Sequence, residues 1–211
     1  MPQLIAMVIV VVAAMIYMFQ TFGGTGDKIE GIAQKSSIIT EINNIKNGVQ
    51  LALRNGSIVN TGATATAEQA QNLQDIAKLE FFPEQINNQL KAAATADKNI
   101  YKAISFGGDS TLEISLVLPT TTATADANAR PGLFINLKKG SLATNAGFLE
   151  KQLKSDLEAL GAVDTYQTSG TYNALKADGD ISTPATGTVG TGDVDGQFVI
   201  YFKDLPRGMI K

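Results

Sequence analysis

Residues 1–26 carry no charged side chain, and the first is Asp27. Within this stretch residues 4–19, Leu-Ile-Ala-Met-Val-Ile-Val-Val-Val-Ala-Ala-Met-Ile-Tyr-Met-Phe, are unbroken apolar sequence, followed by Gln20, Thr21 and Phe22. Wound as an α-helix, residues 4–22 span roughly 28 Å, about the hydrocarbon thickness of a bilayer. There is no polar face, which excludes a helix lying in the membrane interface. A segment apolar all round has to be buried in lipid or in protein. A secretory signal peptide needs a basic flank ahead of its apolar core and a small-residue cleavage site behind it. Neither is found here, so the segment reads as a retained membrane helix, and a basic leader removed ahead of Met1 would account for the missing positive flank.

The apolar run gives way to Phe22-Gly-Gly-Thr-Gly26. Three glycines in four residues each cost a helix about 1 kcal/mol relative to alanine, so the backbone is expected to break or unwind here. Beyond the break, residues 27–54 place Ile29, Ile32, Ile39, Ile42, Ile45, Val49 and Leu53 among Lys28, Glu30, Lys35, Glu41, Lys46 and Arg54. The spacing marks one apolar face of an α-helix, and Arg54 in the last turn with Gly56 just beyond marks its end. That face needs a surface to cover it, most simply the domain C-terminal to it. The chain therefore divides into an apolar anchor (1–26), an amphipathic helix (27–56) and a globular head (57–211).

In the head, Thr66-Ala-Glu-Gln69 has the form of a capping box, and Leu73, Ile76, Ala77 and Leu79 come after it at helical spacing. This helix is expected to stop before Phe81-Phe-Pro83, with a short turn after Pro83. Alternation of Leu112, Ile114, Leu116 and Leu118 predicts a strand over 110–118, which Pro119 ends. Residues 133–137, 197–202 and 101–106 read as three more. Phe148, Leu149, Leu153, Leu157 and Leu160 predict a helix that Gly161 terminates. The expected fold class is α+β: a long N-terminal helix with a glycine break, packed on an antiparallel sheet of about four strands with helices on one face. Thr/Ala/Gly-rich stretches at 61–67, 120–129 and 183–192 read as exposed linkers, and Asn55-Gly-Ser57 is a single glycosylation sequon.

The absence of cysteine and histidine from all 211 residues removes disulfides, thiolate chemistry, histidine-based triads and the usual zinc sites. A net charge of −3 leaves no basic excess for a phosphate backbone, so nucleic acid is not an expected partner. Asp178-Gly-Asp180 and Asp193-Val-Asp-Gly196 bring carboxylates to a spacing that calcium loops use. Counting from Asp193, however, positions six and twelve hold Phe198 and Asp204 instead of glycine and glutamate. Asp193 and Asp195 are thus the only metal candidates, and turns before a strand are the default reading of these Asp-Gly pairs. Gly107-Gly-Asp109 and Gly190-Thr-Gly192 lack the Gly-Lys-Ser/Thr of a phosphate loop. Glu80, Phe81 and Phe82 read as a helix end with core aromatics, and Lys138-Lys139 as a solvated strand end. No carboxylate pair stands out for acid–base work, so neither an enzyme nor a cofactor is expected.

An uncharged apolar N-terminus running into an amphipathic helix and then a small α+β head resembles the type IV pilin family. The resemblance covers residues 1–54 by pattern and 55–211 by architecture, and the long head with a helix between strands is similar to the type IVb branch. It implies that the N-terminal helix anchors the subunit in the inner membrane and then forms the core of an extracellular homopolymer. The core positions would be Met1, Gln3, Leu4, Ile5, Ala6, Val8, Ile9, Val12, Ala13, Ile16 and Phe19, with Gly23, Gly24 and Gly26 as the hinge where the helix melts on assembly. A separate ATPase and platform proteins would drive extraction, since the chain has no nucleotide motif. The chain departs from the family in having Ile5 where pilins usually carry Glu, with Gln3 the nearest polar side chain, and in lacking the C-terminal disulfide. The alternatives are a minor pilin or pseudopilin of a secretion system, or a membrane-anchored extracytoplasmic binding or adhesive domain.

Overall fold

The structure, a computed structural model, describes residues 33–103, 106, 112–120, 129–165, 169–173, 177 and 195–211. It comprises two compact units, Met1–Ser37 and Ile38–Lys211. Of the first unit residues 33–37 are described, and they are helical. The expected anchor, its glycine hinge and residues 27–32 lie outside the described residues. The second unit is the head.

The first helix of the described chain, α1, covers residues 33–54. Within the head its buried side is formed by Ile38, Ile42, Ile45, Val49, Ala52 and Leu53, none more than 1% exposed. Their steps of 4, 3, 4, 3 and 1 keep them on one helical face. The stripe is rotated relative to the sequence expectation. Ile38 leads it, and Ile39 is only half-buried at its margin. Glu41, expected among the solvated residues, also faces inward, 5% exposed, and accepts a hydrogen bond from the Tyr101 hydroxyl at 2.8 Å. Gly48 lies on the same buried side, and a Cβ there would fall inside the Phe82 ring. A glycine that weakens the helix by itself thus lets an aromatic ring rest directly on the α1 backbone.

The capping-box pattern at 66–69 closes a turn instead of opening a helix. The Thr66 N–H donates to Gln69 Oε1 at 2.9 Å, and the Gln69 N–H returns to the Thr66 carbonyl at 3.0 Å. The next helix, α2 (Leu73–Lys78), starts after Asn72, whose Oδ1 accepts the Asp75 N–H at 3.0 Å. The chain then reverses through Glu80, at φ 62. Beyond Pro83 lies a helix of eight residues, α3 (Glu84–Lys91), and not the short turn expected. Pro83 is pre-set for a helix start, and Ile86 and Leu90, four apart, supply the buried side.

Five strands form one antiparallel sheet: β1 (Ile100–Lys102), β2 (Glu113–Val117), β3 (Gly132–Asn136), β4 (Gly161–Asp164) and β5 (Gln197–Phe202). Their spatial order is β1-β2-β3-β5-β4, with Ile114 opposite Ile135, Leu133 opposite Ile200 and Val163 opposite Ile200 on the far side. The last helix, α4 (Ala146–Leu157), ends before a turn at 158–160. Gly161, expected as its terminator, opens β4 instead. β4 gives no strand signal in the sequence, because among its four buried residues Val163 is the one large apolar side chain.

That burial reflects a second covered face. Ile114, Leu116, Leu133, Ile135, Val163, Phe198, Ile200 and Phe202 join the helices in the main core. Val117, Phe134, Ala162, Val199 and Tyr201 point the other way and are covered by Tyr172 and Ala177. The helices of the main core cover one face, as expected; on the outer face lie a strap at 169–173 and Ala177, whose N–H donates to the Asn173 carbonyl at 3.0 Å.

Candidate functional site

The proposed filament-core positions Met1, Gln3, Leu4, Ile5, Ala6, Val8, Ile9, Val12, Ala13, Ile16 and Phe19, and the hinge glycines Gly23, Gly24 and Gly26, lie outside the described residues. What the head displays is the seat of α1. Besides the apolar stripe, Lys46 Nζ pairs with Asp204 Oδ2 at 2.7 Å while lying 5.2 Å above the Phe202 ring. Gln50 Nε2 donates to the Asp204 carbonyl at 3.0 Å. These polar contacts flank the stripe and fix which side of α1 faces the sheet. On the outward side Leu51 stands 53% exposed, between exposed Asn47 and Arg54. Among the described residues no helix is long and apolar enough to cross a membrane.

The end of α1 is tied to the far end of the chain. The Lys211 N–H donates to the Ile58 carbonyl at 3.1 Å, and the Asn60 N–H to the Lys211 carbonyl at 2.8 Å. Beside this pairing lies a polar cleft of about 360 Å³ lined by Asn55, Ser57, Glu68, Gln69, Phe81 and Lys211. Asn55 of the sequon is exposed, and its Nδ2 donates to Ser57 Oγ at 2.9 Å. The cleft offers one carboxylate and one amine.

Two buried polar groups mark the sheet. Glu113, 6% exposed on the outer face, accepts from Asn136 Nδ2 at 3.2 Å and from Lys139 Nζ at 2.8 Å. Lys139 is therefore half of an ion pair and not merely a solvated strand end; Lys138 likewise pairs with Asp195 at 3.5 Å. On the same face Tyr201 is fully buried, and burial pushes its phenol far above the usual range. Its oxygen accepts the Asn173 N–H at 2.8 Å, and Asn173 Nδ2 donates to Asp164 Oδ2 at 2.9 Å. Tyr172 meets the Tyr201 ring edge-on at a centroid distance of 5.8 Å. One ring contact and two hydrogen bonds thus link Tyr172 and Asn173 to Tyr201 and Asp164 on the sheet.

Of the calcium candidates, Asp193 lies outside the described residues. Asp195 closes a turn on itself, Oδ1 accepting the Gln197 N–H at 2.9 Å, as an Asp-Gly pair before a strand predicts. Among the described residues no group of three or more acidic side chains could hold a metal ion. Its neighbour across the junction is Glu150 on α4, which has no exposed surface. Glu150 Oε2 accepts the Gly196 N–H at 2.6 Å, and Oε1 is buried without a hydrogen-bond partner. Burial, reinforced by the Asp195 charge and opposed by nearby backbone N–H groups, raises its carboxyl to about 7. The sequence holds a signal for Glu150 that the apolar pattern of 148–160 leaves out: it lies four after Ala146 and three before Leu153, in register with the buried stripe. Glu41 carries the same signal between Ile38 and Ile45.

No family model matches the chain, and neither a curated protein nor a solved structure matches it.

Proposed function

We propose that this chain is the structural subunit of an extracellular type IV pilus-like filament, polymerising through its N-terminal hydrophobic helix. One observation carries the reading: a charge-free apolar stretch long enough to cross a bilayer leads into a helix whose next four turns form a wall of the head's core. A subunit built this way waits in the membrane with the head outside the cytoplasm. On extraction the apolar helix moves from lipid into a bundle of identical helices, and its surface stays out of water in both settings. Ala6, Ala13 and Ala14 permit close helix approach in such a bundle. The seat of α1 supports the reading because it makes the helix inseparable from the head, as a subunit pulled by its helix requires.

The test is to shear cells, pellet the released material and image it by electron microscopy, identifying the subunit by intact mass. Uniform thin fibres of this chain are expected, and removal of residues 1–26 should abolish them. Protein that stays in the inner membrane without fibres would defeat the filament reading and favour a minor pilin or an anchored extracytoplasmic domain.

A further inference from the structure

Independently of the filament reading, the junction between α4 and β5 holds a fully buried acid with one oxygen left without a hydrogen-bond partner. We propose that Glu150 is a proton-operated latch: its neutral carboxyl holds the Asp195–Gly196 turn against α4, and loss of the proton loosens that turn. A buried carboxylate needs a cation or several donors around both oxygens. Glu150 receives the Gly196 N–H at Oε2, with the Asp195 and Gln197 N–H groups also acting on it, and Oε1 is buried without a hydrogen-bond partner.

The surrounding charges do not supply the missing partner. Lys138, just beyond β3 and against Gly196, is paired with Asp195 at 3.5 Å. Its neighbour Lys139 is paired with Glu113. On α4 itself Lys151 is exposed, Lys154 is half-exposed, and the other members of the buried side are Ala146, Leu149, Leu153 and Leu157. The 3-10 segment Gly140–Asn145 contains no ionisable side chain. From β4 the one ionisable group, Asp164, points to the opposite face and is held by Asn173, and on β5 Tyr201 faces the same way. Among the described residues the charge that acts on Glu150 is Asp195, of like sign.

The turn is fitted closely enough to register the difference. Gly196 takes φ 87, and a Cβ there would meet Ala146 Cβ at 2.5 Å and Lys138 Cγ at 3.2 Å. The turn backbone therefore lies flush against the first turn of α4. The Gly196 carbonyl also accepts the Leu137 N–H at 2.8 Å, so a displaced turn would fray the β3–β5 ladder at its Asn136–Gln197 end.

With the folded carboxyl near 7 and the free one near 4.5, the contribution is fully present below about pH 4.5 and is lost as pH rises through about 7. The measurement uses the full chain in detergent micelles. The Glu150 carboxyl is followed by carbon NMR from pH 4 to 9, assigned with Glu150→Gln, and Gly196 amide protection is followed by hydrogen exchange. A midpoint near 7 is expected, with opening of the Gly196 amide rising toward about 300-fold across the window, the equivalent of 2.5 pK units. Glu150→Gln, a neutral isostere, should keep the amide protected at every pH. The proposal is overturned by a midpoint near 4.5, by Gly196 protection that ignores pH, or by a Gln variant that opens with pH as the wild type does. If the variant does not fold, the wild-type titration and exchange decide alone.

Discussion

The two faces of the sheet are buried by different means. On the inner face α1 to α4 lay aliphatic stripes over Ile114, Leu133, Ile135, Phe198 and Ile200, and the core there is continuous from Ile38 to Ile210. On the outer face a handful of residues from the strap covers Val117, Phe134, Val199 and Tyr201. Repetitive structure can bury a large area because each turn contributes another apolar side chain. The strap at 169–173 is short and holds by specific contacts. The inner face therefore accounts for most of the head's stability, and the outer face should open first.

The comparison can be broken from its strong side. Ile45→Ala removes a side chain with no exposed surface from the α1 stripe, and should destabilise the full chain in micelles by about 2–5 kcal/mol in urea unfolding followed by circular dichroism. A loss under 1 kcal/mol would mean that α1 does not help to hold the head. Gly48→Ala tests the same face at its tightest point. Overpacking against Phe82 should cost about 1–3 kcal/mol even after the gain of up to 1 kcal/mol in helix propensity, and Phe82→Leu in the same chain should recover part of it. A stabilised Gly48→Ala variant would show that the ring has room to move. On the outer face Tyr172→Ala removes the edge-on ring contact and should cost only about 0.5–1.5 kcal/mol. Its larger effect should be local: amides of 169–173 and 199–201 exchange faster while the global transition barely moves. A global loss as large as that of Ile45→Ala would erase the distinction between the faces.

The same contrast explains what is legible in the sequence. α1 and the centre of α4 declare themselves by a helical stripe, and β2, β3 and β5 by several large apolar residues close together. The start of α2 misleads, because Thr66-Ala-Glu-Gln69 satisfies the letters of a capping box while Asn72 does the capping. α3 and β4 escape the pattern because they carry few large apolar residues: Ile86 and Leu90 in α3, and Val163 in β4, which is buried throughout. The strap at 169–173, Ser-Gly-Thr-Tyr-Asn, carries one large apolar side chain and so no periodic signal. Glu41 and Glu150 are visible as acids in register with apolar stripes, but their partners, Tyr101 and Gly196, come from 60 and 46 residues away. Pairings at such separations are set by the sheet's topology.

The Phe82 ring resting on the backbone at Gly48 has a mechanical consequence. A smooth aliphatic stripe resists being peeled away but yields to sliding, because each side chain exchanges one neighbour for a similar one. A ring seated in a gap between side chains acts as a detent: axial travel of α1 has to push the ring out before any residue can move to the next position. Tension arriving along α1 is thereby passed as shear into α3 and the sheet behind it, so the head would be dragged as one body instead of shedding its first helix.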